Sequence, residues 1–261
     1  MRETLLFAYH GVAVYSSDIK SLREGHWLND TILGFYFEYL THDILRGDSS
    51  IVLLKPAVVQ LLQQQTDLNS VLQALPPDLY KHEIIFMPIG NGTHWSLLVY
   101  CRQAYPAPFH YFDSMANANF KHALAAKLKL EQILFGSQQL PMVTHSCPQQ
   151  ENSYDCGVFV VLFADLLVRR YADLRLPPKM PVQVDIPRAV AVSYPAPGTI
   201  QRPMSPFAQA AGDGPGFDIF QPTALRAPVI DRTFWWIDYG DLFNPNTART
   251  MLQQLVNQMQ S

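Results

Sequence analysis

Asp155-Cys156-Gly157-Val158-Phe159-Val160-Val161-Leu162-Phe163-Ala164-Asp165-Leu166-Leu167 is the stretch from which the rest of the chain is read. From Gly157 onward it is apolar almost all round, the pattern of a helix enclosed in a core. The polar turn Pro148-Gln149-Gln150-Glu151-Asn152-Ser153-Tyr154 leads into it. Cys156 therefore stands at the first turn of a buried helix. Unpaired backbone N–H groups and the positive end of the helix dipole favour a thiolate there. With an imidazole nearby, such a cysteine can fall from a pKa of about 8.5 to roughly 4–7. Equally, a lone cysteine serves as a small hydrophobic core residue. The choice between nucleophile and filler rests on partners elsewhere in the chain.

Composition sets the outer bounds. The 261 residues suffice for a substantial core in one or two domains. A hydrophobic share of 48% and a charged share of 16% describe a globular protein. The net charge of −3 gives no electrostatic reason to expect nucleic acid or an anionic membrane as partner. Three cysteines without regular spacing argue against a disulfide scaffold and against a zinc site. They point to a reducing compartment, cytoplasm or nucleus. The N-terminus shows no signal-peptide pattern, and the Cys156 helix meets charges before the about 20 apolar residues a membrane span needs. The chain reads as soluble, with no membrane partner.

In chain order, residues 4–15 suggest a strand. His26-Trp27-Leu28-Asn29-Asp30 follows, with Asn29 or Asp30 as a helix cap ahead of Ile32, Leu33, Phe35, Tyr36, Phe37, Tyr39 and Leu40. Trp27 is either a staple to that helix or the wall of a groove. Pro56 opens a second helix, and a third near Leu68–Leu75 stops at Pro76-Pro77. Ile84–Ile89, His94–Cys101 and Phe109–Ser114 read as three strands, with turns at Asn91-Gly92 and Tyr105-Pro106. Residues 117–131 suggest an amphipathic helix with Phe120, Leu124 and Leu128 on one stripe and Lys121, Lys127 and Lys129 elsewhere. A short strand near Met142-Val143 precedes the cysteine turn. About half of the chain's 20 prolines fall between Pro177 and Pro228. Residues 177–230 therefore read as a long loop or insert within one domain spanning 1–261. Phe234-Trp235-Trp236-Ile237 and a helix over Thr247–Met259 return residues 231–261 to the core.

Centring the second hairpin near Ala104 places Ser96 opposite Asp113. His94 then shares a face with Asp113. The two are diagonal neighbours with Cβ atoms somewhat under about 7–8 Å apart, within reach of an imidazole–carboxylate contact. A slip of one residue would put them on opposite faces. Alone, His94 could be an idle strand-edge residue and Asp113 a turn residue. Together with Cys156 they form a nucleophile, a base and an orienter. Gln150, six residues ahead of Cys156, and the Cys156 backbone N–H could donate to a developing oxyanion.

Four motifs carry a resemblance: Trp27-Leu28-Asn29-Asp30; Gly92-Thr93-His94-Trp95-Ser96-Leu97-Leu98; His110-Tyr111-Phe112-Asp113-Ser114; and Pro148-Gln149-Gln150 with Asn152 and Asp155-Cys156-Gly157. Over about residues 5–175 the chain resembles the ubiquitin-like-protein processing cysteine proteases, the sentrin/SUMO-specific protease family. Leu33–Tyr39, Gly92–Tyr100 and Asn152–Gly157 bring it nearest to the deneddylase branch. The resemblance implies an α+β, papain-like fold with permuted catalytic order His94, Asp113, Gln150, Cys156. It implies a tunnel for a Gly-Gly tail walled by Trp27 and Trp95, with Asp30 contacting the modifier body. It also implies action without metal or cofactor on the neddylation modifier and its conjugates, and the chain is expected to be a monomer. Pro88-Ile89-Gly90-Asn91 is shorter than the matching deneddylase loop, and the proline-rich insert has no counterpart. The alternatives are a SUMO- or ubiquitin-directed protease of the same family, a catalytically silent modifier-binding module, and an acyltransferase using the same triad.

Overall fold

The computed structural model describes residues 3–64, 67–104, 108–136, 138–175, 230, 234–235 and 244–260. The proline-rich segment and the Tyr105-Pro106 turn read from the sequence lie outside these residues, apart from Ile230. The architecture is α+β. Strands β3 (Ile51–Leu53), β4 (Ile84–Gly90), β5 (Trp95–Cys101), β6 (Phe109–Phe112) and β7 (Met142–Thr144) form one sheet in that spatial order. The inner pairs β4–β5 and β5–β6 are antiparallel, whereas the outer pairs β3–β4 and β6–β7 are parallel.

Strand alternation divides the sheet between two cores. Ile84, Phe86, Leu97, Val99 and Phe112 face one cluster, with helices α1 (Asp30–Tyr39), α5 (Cys156–Arg175) and α6 (Pro245–Met259). Ile85, Met87, Leu98, Tyr100 and Tyr111 face the other, with α2 (Pro56–Gln64), α3 (Leu68–Ala74) and α4 (Phe120–Phe135). Both faces are covered, so β4 and β5 read as continuous apolar runs. Helix α5 is buried from Cys156 through Val161, as its composition requires. Each fully enclosed Phe, Val or Leu there contributes about 1.5–3 kcal/mol of transfer free energy. Ile230, Phe234, Trp235 and the Leu252 face of α6 lie in the same core as α5. Among the described residues no helix is long and apolar enough to cross a membrane.

Several local expectations change. Residues 4–15 form a hairpin, β1 (Leu5–Tyr9) and β2 (Val12–Tyr15), instead of one strand. His10 and Gly11 both take positive φ (41° and 81°), the two-residue turn that matches strand twist. Strand β3 has no sequence signature, because three apolar residues carry no period of their own. The Phe120–Leu124–Leu128 stripe is not the packing face of α4: Phe120 and Leu128 are 39% and 45% exposed. Ala123, Ala126 and Leu130 face inward, where small side chains let the helix approach the sheet. Lys127 is buried with them, its ammonium donating to Glu131 at 2.6 Å. The helix also starts at Phe120, because residues before it form a turn in which Ala116 and Asn117 have positive φ.

Candidate active site

The β5–β6 register sets the base. Leu97 pairs with Phe112, and one step further places Ser96 opposite Asp113, as the centred hairpin predicts. His94 stands just before β5, where Asn91 Oδ1 accepts from the N–H groups of Thr93 and His94. His94 Nε2 donates to Asp113 Oδ1 at 2.6 Å. The Asp113 carboxylate also accepts from the Tyr111 hydroxyl (2.6 Å) and the backbone N–H groups of Met115 (2.9 Å) and Asn119 (3.0 Å). Burial pulls its pKa up, but these four bonds outweigh burial and hold it below the usual carboxylate value. Burial likewise pulls the His94 imidazole down. The bond to Asp113 and the neighbouring Cys156 sulfur overcome it and raise the pKa to about 9. His94 Nδ1 is buried without another hydrogen bond and is the ring atom left for the sulfur.

Cys156 opens α5, is buried, and borders a cavity. The next residue has to be glycine: a Cβ at Gly157 would lie 2.7 Å from Leu28 Cβ and 3.3 Å from Trp95 Cδ1. A Cβ at Gly90 would likewise meet the Trp95 ring at 2.7 Å. The Trp95 indole thus lies against two bare backbones and is fixed by Nε1 donating to the Leu28 carbonyl at 3.1 Å. Trp27 is 49% exposed, and its Nε1 donates to the Ser153 carbonyl at 2.7 Å. Of the two readings of Trp27, groove wall fits this position. Trp27, Asp30, His94, Trp95 and Cys156 all border one cavity of about 320 Å³. Gln60 and Gln63 of α2 close another side.

Gln150 does not border that cavity directly. Its Oε1 accepts from Ser114 Oγ at 2.8 Å, its Nε2 donates to the Asn152 carbonyl at 2.6 Å, and its backbone N–H donates to the Ser114 carbonyl. Gln149 adds a parallel tie, donating to the Asp113 carbonyl and accepting from the Ala116 N–H. The Asp113–Ala116 and Gln149–Gln150 segments are therefore laced together.

Sequence reading missed Arg249 of α6. Its guanidinium is buried and donates twice to Asp155 Oδ1, at 3.0 and 2.6 Å. It also donates to the carbonyls of Ser21, Arg23 and His26. One side chain thereby ties the residue before Cys156 to the residue before Trp27. A single arginine in a polar helix carries no local signal of this; only the 94-residue span to Asp155 reveals it. Cys101, Cys147 and Cys156 are all free thiols. Cys147 donates to the Asp113 carbonyl at 3.1 Å, and burial pushes its pKa up to about 11. It is a packing residue.

The family model described as the Ulp1 protease family, C-terminal catalytic domain, matches residues 26–173. Sentrin-specific protease 8 of Mus musculus is 32% identical over 196 residues, covering 71% of this chain and 86% of that protein. NEDD8-specific protease 2 of Schizosaccharomyces pombe is 30% identical over 190 residues, covering 68% of this chain and 45% of that protein. The solved SUMO protease Ulp1 with its catalytic cysteine oxidised to a sulfonic acid has a TM-score of 0.51 at 23% identity. That likeness, over 62% of this chain and 75% of the other, is one of fold.

Proposed function

The chain belongs to the Ulp1 protease family of cysteine peptidases, and from that membership we propose that it cuts after the C-terminal Gly-Gly of a ubiquitin-like modifier, the neddylation modifier by preference. The observation that carries this reading is the His94–Asp113 bond at 2.6 Å beside a cysteine at a helix start. The cavity holding both is also bordered by Trp27 and Trp95. Glycines, lacking side chains, suit a passage between two indoles. Asp30 borders the same cavity, which supports a contact with the modifier body. Similarity to a protease named for NEDD8 supports the choice of modifier. The enzyme works as a monomer without metal or cofactor, in the cytoplasm or nucleus, where thiols stay reduced.

The Cys156 thiolate, paired with the His94 imidazolium, attacks the terminal glycine carbonyl. A C–S bond forms and the carbonyl electron pair moves onto oxygen. The Cys156 N–H and the second Nε2 proton of Gln150 stabilise that oxyanion. On collapse the C–N bond breaks, and His94 protonates the departing amine. Neutral His94 then takes a proton from water, whose oxygen attacks the thioester and restores the thiolate. Asp113 holds the imidazole in the required tautomer throughout.

A panel of ubiquitin-like modifiers, each with a thiol-reactive electrophile at its C-terminus, tests the proposal. The expected result is a covalent adduct with the neddylation modifier, absent in Cys156→Ala. An adduct with SUMO or ubiquitin alone would retain the chemistry and change the modifier. Binding of a modifier without any adduct would replace the protease reading with a silent binding module.

A further inference from the structure

We propose that Ser114 is a positioning residue that orients the Gln150 carboxamide for oxyanion stabilisation; the inference rests on the role assigned to Gln150 above. A carboxamide has two ends of opposite polarity, and only its NH₂ end can stabilise a negative oxygen. A rotation of about 180° about its last bond would present the carbonyl end instead and repel the oxyanion. Something must therefore fix the sense of the amide. In this protein the Asn152 carbonyl, which can only accept, sets the sense, and the buried Ser114 hydroxyl holds the other end in place by donating to Gln150 Oε1 at 2.8 Å. The Ser114 carbonyl accepts from the Gln150 backbone N–H at 2.9 Å, so the same residue holds both ends of Gln150. On the opposite side, Nε2 donates one proton to the Asn152 carbonyl at 2.6 Å, leaving the other for the reaction. In the flipped orientation Oε1 would face the Asn152 carbonyl and lose that bond.

The placement of Ser114 gives the arrangement its use. Asp113, one residue earlier, orients the base. The turn after β6 therefore sets the base with one side chain and the oxyanion donor with the next. Gln149 keeps that turn in register by bonding both the Asp113 carbonyl and the Ala116 N–H, the latter at 2.7 Å. Loss of the Ser114 hydroxyl alone leaves the lacing of Gln149 and the Gln150 backbone in place. Its effect should fall on the carboxamide.

The test compares two reactions of one thiol. Hydrolysis of a fluorogenic amide at the modifier C-terminus passes through an oxyanion, whereas alkylation of Cys156 by iodoacetamide does not. Ser114→Ala is expected to lower kcat for the amide about 5–10-fold with KM unchanged. It should leave the alkylation rate and its pH profile as in the wild type. Ser114→Thr, which keeps the hydroxyl, should restore kcat. In a Gln150→Ala background Ser114→Ala should cost nothing further, because there is no amide left to orient. Wild-type kcat in Ser114→Ala, an equal loss in both reactions, or an undiminished loss in the Gln150→Ala background would each overturn the inference. Should Ser114→Ala not fold, the isosteric pair Ser114→Thr and Ser114→Val makes the same comparison. A Gln150→Ala enzyme with full kcat would instead remove the oxyanion role of Gln150 on which the inference rests.

Discussion

Replacing Arg249 by Met removes one cation from a buried site and leaves its partners in place. The Asp155 carboxylate then loses both guanidinium bonds and keeps the Asn152 side-chain amide at 2.8 Å. The carbonyls of Ser21, Arg23 and His26 lose their guanidinium donors in the same step. Breaking one side of a buried ion pair costs about 3–5 kcal/mol; the carbonyls add little, because that of Arg23 keeps the His26 N–H and both Arg23 and His26 are exposed residues that water can reach. Relaxation and water entry offset part of this, leaving a net loss of about 4 kcal/mol. Against a total stability of about 5–15 kcal/mol, that is a large fraction. At about 2–4 °C per kcal/mol for a domain of this size, Tm should fall by roughly 8–16 °C. Calorimetry and urea melts of the wild type, Arg249→Met, Asp155→Asn and the double variant measure it. The double variant should recover part of the loss, since no uncompensated carboxylate remains. An Arg249→Met protein melting within about 2 °C of the wild type would show that this buried arginine does not brace the cysteine turn.

Other outcomes follow from the site. In Asp113→Asn the principal group raising the His94 pKa is gone while burial remains, so the alkaline limit of kcat/KM should move downward from about pH 9. The accompanying fall in kcat should be about 10²–10⁴-fold. Because the folded His94 pKa lies above its unfolded value, its stabilising contribution is complete below about pH 6.5 and disappears as pH rises through about 9. Wild-type Tm should therefore decline across that window more steeply than that of Asp113→Asn. Gly157→Ala must displace Leu28 or the Trp95 indole, at a cost of about 1–3 kcal/mol, and should raise KM for modifier substrates because Trp95 borders the cavity. Glu131→Ala strands the buried Lys127 ammonium and removes the acceptor of the Leu140 N–H, a loss of about 3–5 kcal/mol visible in urea melts. Catalytic parameters should not change in that variant.

Much of this arrangement is written in short-range sequence. The apolar run after Cys156 specifies a buried helix whatever packs on it. Asn29 ahead of an apolar face specifies where α1 begins. The hairpin register that brings His94 to Asp113 follows from turn centring and a side-chain period of 2, both of which are local. These readings depend on residues a few positions apart, where backbone geometry alone decides who can meet whom.

Partners far apart in the chain, and the choice among equivalent faces, emerge only in the completed fold. The inward side of α4 is its alanine face, because close approach to the sheet outweighed the larger but outlying Phe120 and Leu128. The three-residue strand β3 exists because β4 offers it a parallel edge. Ser114 and Gln150 meet across 36 residues, and Arg249 reaches Asp155 across 94. A hydroxyl or a guanidinium bonds whatever acceptor the completed core brings within about 3 Å, and no spacing in the sequence encodes which acceptor that is.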